Sequence, residues 1–133
     1  MLIITAIAAS ILGYLYFRLS FNVILFRRKF GIGLGDGNQE ALQRAIRAQA
    51  NLTEYAPIAL ILLACLELNN APWWVTALLA TTFVLGRLIH PMGMKDPTSS
   101  FGPRVKGMQL TLLSIIGLSI ANVTLVVLHI VST

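Results

Sequence analysis

The chain has 133 residues, enough for one domain, and only 11% of them are charged while 56% are hydrophobic. Ordinary soluble domains are about 25% charged, so a soluble chain this short could not hide its apolar surface in one core. A net charge of +5 would suggest nucleic acid if the basic residues formed a solvated patch, but they sit between apolar runs, and no nucleic-acid partner is expected.

The first apolar segment, Leu2–Phe26, opens with MLIITAIAASILGYLYF, which could pass for a signal peptide. It lacks a basic n-region and runs on past the usual length of an apolar core, so it reads as a retained helix. Loop one follows, with FGIGLGDGNQE rich in Gly. Its GxGxxG-like spacing has no preceding strand and no room for a dinucleotide fold, so a flexible connector is expected. From Gln39 the good helix formers EALQRAIRAQ predict that helix two begins before its apolar stretch, roughly Ala45–Leu68. Trp73–Met94 and Met108–Val131 supply spans three and four, and Cys65, alone within span two, excludes a disulfide framework. Each span reaches the ~20 residues that cross a hydrocarbon core of about 30 Å. Lipid offers the backbone no hydrogen-bond partners, which favours helices throughout, Pro57 and Pro91 included. The expected fold is all-α: one membrane domain over residues 1–133, built as a four-helix bundle.

Lys and Arg set the expected orientation. Loop one and its flanks carry Arg27, Arg28, Lys29, Arg44 and Arg47; the third connection and its flanks carry Arg87, Lys95, Arg104 and Lys106. The opposite side, formed by the termini and the turn Glu67–Pro72, has no Lys or Arg. The positive-inside rule then puts loops one and three in the cytoplasm and both termini outside, with Trp73 and Trp74 in an interfacial belt.

Ionisable residues inside spans are costly against lipid and usually face inward toward partners. Arg18, Glu54 and Arg87 qualify, each roughly 10–14 Å from the basic end by helical rise, and their common depth predicts one polar network. On span two, Arg44, Arg47, Asn51, Glu54, Tyr55 and Ile58 follow steps of three and four and share a face. Tyr14, Arg18 and Asn22 form a similar stripe on span one, and Arg87, His90 and Met94 one on span three. Such stripes can be structural glue between helices. A cluster of arginines opening to the cytoplasm goes further and suits an anionic ligand. No metal site is expected, and His129 is given no role.

The segment Arg44-x-x-Arg47-Ala48-Gln49-x-Asn51-x-x-Glu54-Tyr55-x-Pro57 resembles the second-helix signature of the MAPEG family, the membrane-associated proteins in eicosanoid and glutathione metabolism. Length, spans and the basic first loop agree, so the resemblance covers the whole chain. It implies a bacterial-type, inner-membrane member, a homotrimer of four-helix protomers with glutathione as co-substrate between neighbours. Position by position, it implies that Arg47, Asn51, Glu54 and Tyr55 bind glutathione, that Gln49 lines the site, and that Arg27 meets a glutathione carboxylate. It further implies that an arginine near the start of the fourth helix stabilises the thiolate. Arg104 is the match, and Lys106 is its rival. A thiol of pKa near 8.5 is mostly protonated at neutral pH, and a guanidinium favours its nucleophilic form. Span three departs from the resemblance. Arg87 is retained, but His90 and Met94 stand where eicosanoid-synthesising members carry tyrosines, which weighs against an eicosanoid substrate. His90 remains a candidate to hydrogen-bond glutathione or move a proton.

The function so implied is a membrane-bound glutathione transferase or peroxidase acting on a hydrophobic electrophile or lipid hydroperoxide that enters from the bilayer. A non-catalytic glutathione-binding scaffold of the same fold is the alternative. A small four-helix exporter resembles the chain in size but depends on an acidic residue in the first helix, where only Arg18 stands.

Overall fold

Apolar periodicity and the turns between the apolar runs define the elements of the computed structural model, which describes residues 1–94 and 102–132. Four long helices run up and down: α1 (Ile3–Phe30), α2 (Glu40–Leu68), α3 (Trp73–Ile89) and α4 (Gly102–Ser132). All four are long and apolar enough to cross a membrane, α3 when its terminal 3-10 turn is included. At most 39% of any apolar window is buried within the bundle, so most of the apolar surface points outward, as lipid contact requires and water would penalise.

The ends follow local chemistry. α1 continues through Arg27, Arg28 and Lys29, four residues beyond its apolar run, and stops where Gly31 takes a left-handed φ of 67°. The Ile32 amide then reaches back to the Arg27 carbonyl at 3.0 Å, a glycine-terminated cap. α2 begins at Glu40, as its helix formers predict. At its far end Asn70 adopts φ 56°, and the Ala71 amide bonds Leu66 O at 3.0 Å before Pro72 opens α3. Pro91 changes span three. Without an N–H, and with its ring crowding the preceding turn, it sits in a 3-10 turn, His90–Met94, that replaces continued α-helix. Lys95 and most of the third connection lie outside the described residues.

α1 packs mainly on α2, and α3 mainly on α4, with α2 also meeting α4. Leu52, Ala59, Leu63 and Leu66 recur at helical spacing on α2 and bury against Phe83, Val84, Ala8, Leu12 and Leu118. A smaller cluster of Val23, Leu42 and Ala45 seals the loop-one end. Small residues allow α3 and α4 to touch by backbone: a Cβ on Gly107 would come within 2.7 Å of Gly86 O and of the His90 amide nitrogen. Close approach of this kind substitutes for hydrophobic drive where lipid surrounds the helices. Polar ties complete the frame. The Glu67 carboxylate accepts from the Ile4 and Thr5 amides at 2.9 and 2.7 Å, which satisfies donors that the start of α1 otherwise leaves unpaired. Asn122 donates to Leu62 O at 3.0 Å, joining α4 to α2.

Candidate functional site

The site is built around a buried cation. Arg87, in the last turn of α3, is only 2% exposed. The α3–α4 crossing at Gly86 and Gly107 holds its guanidinium between α2 and α4. One terminal nitrogen donates to Asn51 Oδ1 at 2.6 Å, and the other donates to Thr111 Oγ1 and approaches Met108 Sδ at 3.9 Å. The ring of Tyr55 lies 5.3 Å from the guanidinium carbon and that of Phe83 lies 5.9 Å away, within cation–π range. Thr111 in turn donates to Gly107 O at 2.8 Å, which fixes its hydroxyl as an acceptor for Arg87. Every one of these partners is neutral. Among the described residues no carboxylate pairs with Arg87, and its Nε is buried without a hydrogen bond.

One turn either side of Asn51, α2 carries Arg47 and Glu54, whose side chains meet at 3.6 Å. Both are about half exposed, so this pair lies on the open flank of the buried cluster. His90 follows Arg87 by one turn and is 4% exposed, its backbone packed on Gly107. Arg104 meets the same 3-10 turn through Gly93. Arg104 itself is exposed in the first turn of α4, its backbone seated on Gly93 so closely that a Cβ there would lie 2.7 Å from the Arg104 amide nitrogen.

Of the residues that the sequence singles out, the fold therefore brings Arg47, Asn51, Glu54, Tyr55, Arg87 and His90 to one side of α2, with Arg104 at the rim. Two are not brought there. Gln49 is two residues from Asn51, about 200° around the helix, and donates to Ser20 Oγ at 3.1 Å and Tyr16 Oη at 3.4 Å on α1. Arg27 folds over loop one, donating to the carbonyls of Ile32, Gly33 and Gly35 at 3.4, 3.3 and 3.0 Å. Loop one is thus wrapped on the Arg27 guanidinium rather than being an unattached connector.

The expected network of Arg18, Glu54 and Arg87 does not form. Helical rise does not set direction: Glu54 turns outward to Arg47, Asn51 takes Arg87, and Arg18 lines a groove beside α1. Thr111 and Met108 were not singled out from the sequence. The available signal was the small and polar series Gly107, Thr111 and Ser114 at helical spacing in an otherwise apolar span, all of them buried.

Comparison with known proteins gives a consistent result. The MAPEG family model matches residues 5–124. The inner membrane protein YecN of Escherichia coli K12 is 32% identical over 119 residues, which cover 90% of this chain and 89% of that protein. YecN of Escherichia coli O6:H1 matches to the same extent.

Proposed function

The chain belongs to the MAPEG family, and from that membership we propose that it binds cytoplasmic glutathione and activates its thiol. The thiolate would attack hydrophobic electrophiles or lipid hydroperoxides that reach the site from the bilayer. The observation that carries this reading is Arg87: a fully buried guanidinium held by neutral partners, among them Asn51, which lies one turn from both Arg47 and Glu54. A buried cation without an anion is costly, and a site that receives a carboxylate or thiolate recovers part of that cost.

The donor set fits the tripeptide. Glutathione brings two carboxylates, an ammonium and the thiol that does the chemistry. Arg47 offers a guanidinium for a carboxylate, and Glu54 offers an acceptor for the ammonium. Asn51 and Tyr55 hold Arg87 in place beneath them. Arg104, exposed at the rim, supplies a further positive charge that favours a thiolate over a thiol.

The positions of Arg27 and Gln49, away from this cluster, support a site shared between protomers of a homotrimer. The open flank of one protomer would face the Gln49 and Arg27 side of its neighbour. The basic ends of α1, α2 and α4 lie together, and we assign them to the cytoplasmic face, with both termini outside.

Detergent-purified protein should give an ultraviolet thiolate signal on adding glutathione and should conjugate a chlorinated dinitrobenzene or reduce a lipid hydroperoxide. Binding without turnover would assign the chain to a non-catalytic scaffold instead. Absence of glutathione binding would overturn both.

A further inference from the structure

A second arginine-lined site opens further along α2, nearer loop one. A groove of about 730 Å³ runs between α1, the start of α2 and the end of α3, within the ~300–1,000 Å³ of typical ligand sites. Along α1 it extends from Ile11 to Phe26, about 22 Å by helical rise. Its polar side is Tyr14, Arg18 and Asn22, one turn apart from each other, with Arg44 across from them on α2. The remaining wall is apolar, Leu15, Leu25, Phe26, Leu88 and Met92 among it, and no carboxylate lines it among the described residues.

Arg18 is exposed and, among the described residues, makes no hydrogen bond or ion pair with the protein. An exposed guanidinium well inside an apolar span is costly unless an anion meets it. Arg44 uses one nitrogen on Glu40, at 2.8 Å on the helix surface, a weak type of pair that leaves its other donors available. Gln49 bonds Tyr16 and Ser20, which flank Arg18 in sequence, so Arg18 lies level with Gln49. Arg44 is then five positions nearer the loop, about 7.5 Å along the axis, near enough for two long side chains to converge on one anion.

We propose that this groove binds an anionic phospholipid of the surrounding bilayer. Its phosphate is held between Arg18 and Arg44, and one acyl chain lies along Leu15 and Leu88 toward Ile11. Charge complementarity selects the headgroup: two guanidinium forks match the oxygens of a phosphate, and basic pockets between membrane helices recognise lipid phosphates in this way. The long apolar wall favours a lipid over free phosphate. This site is separate from the Arg87 cluster and does not depend on the proposed glutathione chemistry.

Native mass spectrometry of the purified chain, delipidated and then offered phosphatidylglycerol, phosphatidylcholine, palmitate or inorganic phosphate, tests the assignment. The expected result is retention of phosphatidylglycerol at least tenfold over phosphatidylcholine, with neither palmitate nor free phosphate displacing it. The Arg18→Gln variant should lose that preference, Arg18→Lys should keep part of it, and Arg28→Gln should keep all of it. Equal retention of the two phospholipids by the unaltered protein would overturn the proposal, and that comparison needs no variant to fold. Displacement by palmitate would overturn it in favour of a carboxylate site, and displacement by free phosphate in favour of a soluble anion. Loss of the glutathione thiolate signal in a folded Arg18→Gln protein would also overturn it, because Arg18 would then belong to the other site.

Discussion

Replacing Asn51 with Leu removes the one side-chain amide that Arg87 meets at 2.6 Å. The guanidinium is 2% exposed and its Nε already lacks a partner, so water cannot easily take over. Hydrogen bonds to charged groups contribute about 1.5–3 kcal/mol, and stranding a buried charged donor adds to the loss. Asn51→Leu should therefore destabilise the folded protein by about 3 kcal/mol. Arg87→Met should cost a similar amount, since it strands Asn51 and removes the contact with Tyr55. The double variant is the informative one. With both polar partners gone, an apolar pair of comparable volume fills the space, and such replacements are often neutral or better. It should be more stable than either single variant, which at about 3 kcal/mol each requires a coupling above about 3 kcal/mol in a double-mutant cycle. Unfolding of the detergent-solubilised protein by a denaturing surfactant measures all four corners, and glutathione titration follows the same samples. Stability recovered while glutathione binding stays lost would mean that Arg87 is kept for the ligand rather than for the fold. An Asn51→Leu protein within 0.5 kcal/mol of the parent, or strictly additive single effects, would refute the contact as the source of the energy.

Arg104→Ala should abolish the glutathione thiolate signal while leaving measurable binding; an unchanged signal in the titration would move the role to Lys106 or Arg87. Glu54→Ala should weaken glutathione binding about tenfold, the loss expected for one charge-assisted contact. Its effect on unfolding should stay below about 1 kcal/mol, because the Arg47–Glu54 pair is half exposed. Gly107→Val places branched carbons where a single Cβ would already lie 2.7 Å from Gly86 O, so surfactant unfolding should show a loss of at least ~2 kcal/mol from overpacking. Glu67→Ala strands the Ile4 and Thr5 amides and should cost about 1–3 kcal/mol by the same assay, with glutathione binding unchanged.

The four helices were legible because length and hydropathy decide them almost without tertiary help: lipid forbids the alternatives that a soluble chain could use. Boundaries were less so. Apolar composition ends at Phe26, yet α1 runs to Phe30, because Arg27–Lys29 are good helix formers and only Gly31 can take the left-handed φ that ends the helix. Pro91 reads the same as Pro57 in sequence. Pro57 stays within continuous α-helix, whereas His90–Met94 becomes a 3-10 turn, and the difference depends on whether α-helical residues follow to carry the ladder onward.

For the candidate site, the stripes read from periodicity meet at Asn51, Tyr55 and Arg87 but not at Arg18 or Glu54. Rise per residue gives only position along each helix, and Arg18 lies level with Gln49, five residues from Glu54. Azimuth is set by how α2 rotates against its neighbours, and the tripeptide Asn51-Leu52-Thr53 shows what decides it. Leu52 is 4% exposed in the core, which fixes the roll of the helix. With Leu52 inward, Asn51 falls toward α3 and Glu54 toward the open flank. The same roll sends Gln49 to α1, while Arg44, on the Asn51 face but two turns nearer loop one, enters the groove. The stripe is thus divided along its length rather than around the helix, since Arg44 and Asn51 are only about 20° apart in azimuth. The Arg87 cluster lies at the level of Asn51, and the arginine-lined groove lies at the level of Arg44. A signature that looks continuous along α2 therefore serves two anion-seeking surfaces, and substitutions at Asn51 and Arg44, two helical turns apart, should act on different ligands.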